Sequence, residues 1–253
     1  MDGMLQPPSA TAFDAAASIL SLLVYLGVAL DAIRRAPGDP RARTFLVIAL
    51  TGAVPYALSP LQWWKGNSVY TPAVIALTAV AFTIGGIALF HFTQVFPRRR
   101  PWIVRHAAWL AAAYVLIPPP VAVISWILAS LLAPPVPPGA DPMAATSIEL
   151  GLLVLALIPV LIVVAVVLPL AGVMSLYRSW QEAKPDARAG DRAATLWMLI
   201  SQLGGGVLAV LVIPMLHLVG IGPPWSLVIA ALTYAFALLL PIAVAFYGIN
   251  TSA

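Results

Sequence analysis

Twelve of the thirteen Lys and Arg residues fall in three short stretches between long apolar runs, and no other feature constrains the fold as tightly. The first stretch holds Arg34, Arg35, Arg41 and Arg43, and the second holds Arg98, Arg99, Arg100 and Arg105. The third holds Arg178, Lys184, Arg188 and Arg192, which leaves Lys65 alone elsewhere. Short loops rich in positive charge stay on the cytoplasmic side of a membrane. The runs between them suit no soluble fold, because the chain is 62% hydrophobic and only 9% charged, with a mean hydropathy of +0.99. Soluble domains carry about 25% charged residues. In lipid every backbone N–H and C=O must be satisfied within its own segment, so such runs are helices.

Seven runs approach or exceed the length of about 20 residues needed to cross the hydrocarbon core. They are Phe13–Ile33, Thr44–Gln62, Ala73–Phe96, Ala107–Ala133, Leu150–Tyr177, Ala194–Val219 and Trp225–Gly248. The expected fold is an all-α integral membrane protein, one domain over residues 1–253 in the bacterial cytoplasmic (inner) membrane. Its seven transmembrane helices form a bundle with the N-terminus outside, the C-terminus cytoplasmic and several spans kinked by proline. Residues 1–10 carry Asp2 and no base, so the first run reads as a retained span rather than a cleaved signal peptide. Tryptophan agrees with this map: Trp102, Trp109, Trp180 and Trp197 fall near inner boundaries, Trp63, Trp64 and Trp225 near outer ones. The pI of about 9.7 follows from the same loop arginines, so no nucleic acid is expected as a partner.

Five of these spans contain proline, which removes a backbone donor and frees a carbonyl one turn earlier. Pro55 and Pro60, Pro118, Pro119 and Pro120, Pro159 and Pro169, Pro214, and Pro241 are the residues concerned. The triple proline is expected to abolish several helical bonds together. Ala81 and Gly85, and Ser201 and Gly205, have the small-xxx-small spacing of helix contacts. Gly204, Gly205 and Gly206 weaken span six and suggest a joint there.

Little in the chain offers chemistry. No charged side chain lies near a span centre; Asp31, with Arg34 and Arg35 at i+3 and i+4, reads as a helical ion pair. The chain has no Cys, which excludes thiolate catalysis and disulfides, and no nucleophile constellation occurs, so no enzyme activity and no cofactor are expected. A retinal Schiff base needs a lysine in the last helix, and only Lys65 and Lys184 exist. His91 and His106 could approach across the second basic loop, but two imidazoles without a carboxylate make a poor metal site, and no metal is expected. His217 sits where it would sense external pH. Tyr56, Trp63, Trp126, His217 and Trp225 are the candidate lining of an outward-facing ligand cavity.

Two segments bear a family likeness. His91–Pro101, HFTQVFPRRRP, resembles the segment that ends a helix in the membrane-embedded input regions of bacterial sensor histidine kinases. Leu238–Gly248, LLLPIAVAFYG, looks like the helix leading into the kinase portion of those proteins. In that family a dimerisation and ATP-binding portion follows, whereas here only Ile249–Ala253 follow. The resemblance therefore implies a sensory or regulatory module that responds to an apolar or envelope signal and acts through a separate signalling partner, with the bilayer and a second copy of the chain as further expected partners. His91, Pro97, the three prolines 118–120, the three glycines 204–206 and Pro241 are the candidate signalling or hinge positions. A small-molecule or lipid transporter and a structural subunit of a membrane complex are the alternative readings.

Overall fold

The computed structural model describes residues 8–58, 70–96, 99–132, 167–182, 189–205 and 225–248. All regular structure among them is helical. Helices α1 (Pro8–Arg35), α2 (Pro40–Leu58) and α3 (Tyr70–Val95) cover the first three apolar runs. The fourth run is divided into α5 (Ala107–Leu116) and α6 (Pro118–Leu132), preceded by the single turn α4 (Pro101–Arg105). Helix α7 (Leu168–Glu182) covers the C-terminal part of the fifth run and the start of the stretch after it. Helix α8 (Ala189–Ile200) continues as a π-helical turn, Ser201–Gly205, and α9 (Trp225–Ala243) as a second, Val244–Gly248.

Two of the described helical stretches are long and apolar enough to cross a membrane, Ala73–Val95 and Ala107–Leu128, and Ala231–Phe246 is a shorter apolar helix. The seven-span expectation is thus met in part. Residues 59–62, 150–166 and 206–219 of spans two, five and six lie outside the described residues, so a seven-span bundle is not shown.

Pro118, Pro119 and Pro120 show how proline is accommodated. They do not interrupt a helix but begin one, in a first turn whose N–H groups would have no partner in any case. The break falls at Ile117, whose N–H still donates to the Ala113 carbonyl at 3.2 Å. Pro118 is buried while Pro119 and Pro120 are exposed.

Helices α1, α2, α3, α7, α8 and α9 touch in a closed cycle, each against the next and α9 against α1. Inside it lies one apolar cluster that includes Ala29, Phe45, Phe92, Phe96, Leu176, Met198, Leu240 and Val244. Phe92 stacks on Phe96 at 5.1 Å and meets Phe45 at 5.8 Å. The cluster draws on the C-terminal halves of α1, α3 and α7, the start of α2 and the helix α8, whose neighbouring loops are basic, and on the C-terminal half of α9, which no basic residue follows. Helix α3 is central: its other side packs on α4, α5 and α6, where Ile87, Ile103 and Leu110 form a smaller cluster.

The predicted contact face of α3 is used. Ala81 is buried, and a Cβ on Gly85 would lie 3.0 Å from the Thr51 hydroxyl of α2. Buried hydroxyls return to their own helices, as Thr44 does to the Pro40 carbonyl at 2.6 Å and Thr83 to that of Ala79 at 2.8 Å. Large apolar side chains instead cover much of the outside, among them Leu23, Phe82 and Trp109, which is 75% exposed.

The α1–α2 turn is fixed by polar groups. Arg35 pairs with Asp31 at 2.8 Å, the ion pair expected from the spacing; both side chains are half exposed, so it stabilises little. Asp39 caps α2: its carboxylate accepts the Arg41 N–H at 2.8 Å, and Pro40 follows at the first helical position. The Arg41 guanidinium also binds it at 2.6 Å, with both side chains mostly buried. Burial alone would raise the Asp39 pKa, but the hydrogen bonds from the Arg41 side chain and backbone, and its charge, hold the carboxyl below its ordinary range. A carboxyl lowered by folding stabilises the protein fully above its unfolded pKa, and that contribution disappears as pH falls through the folded value. Unfolding titrations in detergent are expected to show Asp39→Ala costing about 0.5–2 kcal/mol at neutral pH, with the difference from wild type vanishing in acid. In the same assay Gly85→Leu lowers stability by about 1–3 kcal/mol through overpacking against Thr51.

Candidate functional site

The interior contains two polar features that the apolar cluster does not explain. The first follows from Pro241, which lies buried within α9. A proline at this position cannot donate to the carbonyl four residues earlier, that of Ala237. Tyr25 on α1 supplies the missing donor, its hydroxyl reaching the Ala237 oxygen at 2.7 Å. Tyr25 is held for this task by stacking on Phe45 at 5.8 Å. The first and last described helices, which also pack on each other, are therefore joined by a hydrogen bond to the carbonyl that the proline leaves free. Beyond it α9 widens into the π turn Val244–Gly248, and such turns often mark functional sites.

The second feature is a polar seam between α3, α7 and the π turn after α8. Arg100 closes the end of α3, its N–H donating to the Gln94 carbonyl at 2.9 Å. Its Nη2 then donates to the Ser175 carbonyl and to Ser179 Oγ, each at 2.6 Å, which fastens α7 to α3. Gln94 and Thr93 are buried beside it, 3.3 Å apart as donor and acceptor. A Cβ on Gly172 would touch Thr93 at 3.3 Å and Gln202 Oε1 at 3.7 Å, so the three helices meet there closely. Among the described residues, Arg100 Nε, Ser175 Oγ and both amide atoms of Gln202 are buried here without a hydrogen-bond partner, as is Thr78 Oγ1 elsewhere on α3. A buried group left unpaired costs about 1–3 kcal/mol, and Gln202 lies inside the π turn.

The same turn holds Gly204, whose backbone lies under the ring of Phe236 on α9; a Cβ there would sit 2.6 Å from that ring. Among the predicted hinge positions, the structure thus gives contacts to Gly204 and Pro241, and both bear on α9. Gly205 closes the π turn, and Pro97 and Gly206 lie outside the described residues. His91 faces Tyr114 of α5, with ring centroids 6.1 Å apart, while His106 stacks on Trp102 at 4.8 Å; the expected approach of the two imidazoles is not seen. Of the candidate cavity residues, Trp126 is 42% exposed on α6. Trp63 and His217 lie outside the described residues, as do the side chains of Tyr56 and Trp225.

The two segments that carry the family resemblance meet in space. Phe92 and Phe96 from the first, and Leu240, Ala243 and Val244 from the second, belong to one cluster. Comparison with known proteins gives no match: no protein-family model, curated protein or solved structure is similar to the chain.

Sequence reasoning treated Tyr25, Arg100 and Gln202 as ordinary residues. One signal was legible, since Pro241 requires a donor for the Ala237 carbonyl, but nothing local names Tyr25 as that donor. Tyr25→Phe is expected to cost about 1–3 kcal/mol by leaving the carbonyl unpaired. In a Pro241→Ala background the new N–H serves the carbonyl, so the same substitution costs about 1 kcal/mol less, a coupling that a double-mutant cycle reads directly. Gln202→Leu, which removes two unpaired atoms at similar volume, is expected to raise stability in the same assay.

Proposed function

We propose that the chain is a membrane-embedded sensory or regulatory module. In this reading it crosses the bacterial inner membrane seven times, with the N-terminus outside and the C-terminus in the cytoplasm. It responds to an apolar or envelope signal and acts through a separate protein. The observation that carries the reading is the Tyr25 hydrogen bond to the Ala237 carbonyl over Pro241. This bond ties the last helix to the first at its weak point, so its loss would loosen a segment already weakened by proline and a π turn. A signal acts on such a pair of states only by binding one better than the other.

Three further observations support the reading. Large apolar side chains such as Leu23, Phe82 and Trp109 face outward while Thr93, Gln94 and Ser175 are buried, the arrangement expected where lipid is the solvent. Helix ends that adjoin the arginine-rich loops gather around one core. Phe246, 72% exposed at the end of the last helix, offers an apolar contact to a partner at that same end. The two segments resembling sensor-kinase input regions join the tethered helix to α3. A transporter would use similar joints, and proteoliposome flux separates the two, because a sensor moves no solute.

Because the chain has no cysteine, spin labels can be placed by paired substitutions such as Leu30→Cys with Ala245→Cys. Tyr25→Phe is expected to shift or broaden the distance distribution in lipid. A photo-crosslinker at Phe246 should yield one stoichiometric adduct in cells, in an amount altered by Tyr25→Phe. Unchanged distances together with no adduct overturn the sensory reading. A reporter fused at Ala253 that reads as external overturns the topology.

A further inference from the structure

On the outside of the bundle a groove runs where α7, α8 and α9 meet. Tyr177, Trp180, Leu196, Leu203 and Phe236 form its walls with Gly204 at its base, and its volume is about 430 Å³. The lining surface is wholly apolar, and the volume lies within the range of about 300–1,000 Å³ typical of small-ligand sites. One turn of helix with its side chains, about 10 Å across and 5.4 Å long, would fill it. It therefore suits a narrow flexible chain better than a protein helix.

The two ends of the groove differ. At the loop end Arg192 lies over the Trp180 ring, its Cζ 4.9 Å from the ring centroid, and Tyr177 stacks on Trp180 at 6.1 Å. At the other end only Leu203, Gly204 and Phe236 remain. A guanidinium held over an indole by cation–π attraction still has N–H groups to offer an anion, and their fork matches the oxygens of a phosphate. Cation at one end and hydrocarbon along the rest match an amphipath with an acidic head.

We propose that this groove binds an anionic phospholipid, with one acyl chain in the slot and the phosphate at Arg192. In sequence, residues 178–192 carry four bases, Arg178, Lys184, Arg188 and Arg192, against three acids, Glu182, Asp186 and Asp191. That near-balance gives little general attraction, so selectivity depends on where Arg192 stands. A zwitterionic lipid brings its own cation beside the phosphate and gains less there. The chain in the slot would press on Phe236, whose neighbour Ala237 offers the carbonyl that Tyr25 holds. The site rests on the membrane-embedded reading, but binding is measured independently of any signalling.

The test uses the full chain, delipidated in uncharged detergent, with phosphatidylglycerol and phosphatidylcholine of identical acyl chains as probes. Native mass spectrometry is expected to show one phosphatidylglycerol per chain, held roughly tenfold more tightly than phosphatidylcholine through one charge-assisted pair. Arg192→Gln should bring the two lipids to parity, while Arg192→Lys keeps part of the preference. Leu203→Trp, which fills the slot from its exposed rim, should weaken both lipids and leave their ratio unchanged. Equal binding of the two lipids by the wild type, a preference that survives Arg192→Gln, or binding unaffected by Leu203→Trp overturns the proposal. If these outcomes occur while the reporter at Ala253 still reads as cytoplasmic, the lipid site fails and the membrane topology stands.

Discussion

A backbone carbonyl without a donor is what this structure is arranged to avoid. Pro241 creates one inside α9, and Tyr25 reaches across from α1 to satisfy it. In an aqueous protein a water could serve the same carbonyl. Among apolar helices the donor must come from the protein, because an unpaired group there costs several kcal/mol, at the order of about 2–7. The position of α1 against α9 thus follows from a requirement set more than two hundred residues along the chain, and the stacking of Tyr25 on Phe45 brings α2 into the same arrangement.

The same requirement explains smaller features. The three consecutive prolines stand at the start of α6, where missing donors cost nothing, and the helix break moves back to Ile117. Threonines in α2, α3 and α8 turn their hydroxyls to carbonyls of their own helices. Arg100 leaves the end of α3 and spends its guanidinium on the carbonyl of Ser175 and the hydroxyl of Ser179. Against this pattern the unpaired amide of Gln202 stands out. Among the described residues Thr78, Arg100 and Ser175 each leave one buried polar atom unpaired, but Gln202 leaves both amide atoms so, inside a π turn beside Gly204, which makes this joint locally weak. Natural proteins tend to break local rules where function needs them broken.

That joint and the Tyr25 bond both act on α9, at consecutive residues. Gly204 lets Phe236 lie against the α8 backbone, and the next residue, Ala237, accepts the bond from α1. Two adjacent residues of α9 therefore report on two neighbouring helices. The groove between α7, α8 and α9 includes Phe236 in its lining, so whatever fills it bears on the same point.

Much of this architecture was legible in the chain. Apolar run length gave the helices, because hydrogen bonding within a segment depends on that segment alone. Arginine distribution marked the ends of α1, α2, α3 and α7 that gather around Phe45, Phe92 and Phe96. Spacing marked the Asp31–Arg35 pair and the Ala81–Gly85 face, both set by the repeat of a helix. Tyr25, Arg100 and Gln202 were not legible, since each acquires its role from a helix distant in sequence. A proline announces that a carbonyl needs a donor, yet which side chain answers is decided by how helices are placed side by side. The sequence alone determined where helices form and which ends carry charge, by local energetics. Only the tertiary structure decided which helices touch, and so which polar groups are paired, which are left alone and where an apolar slot opens beneath an arginine.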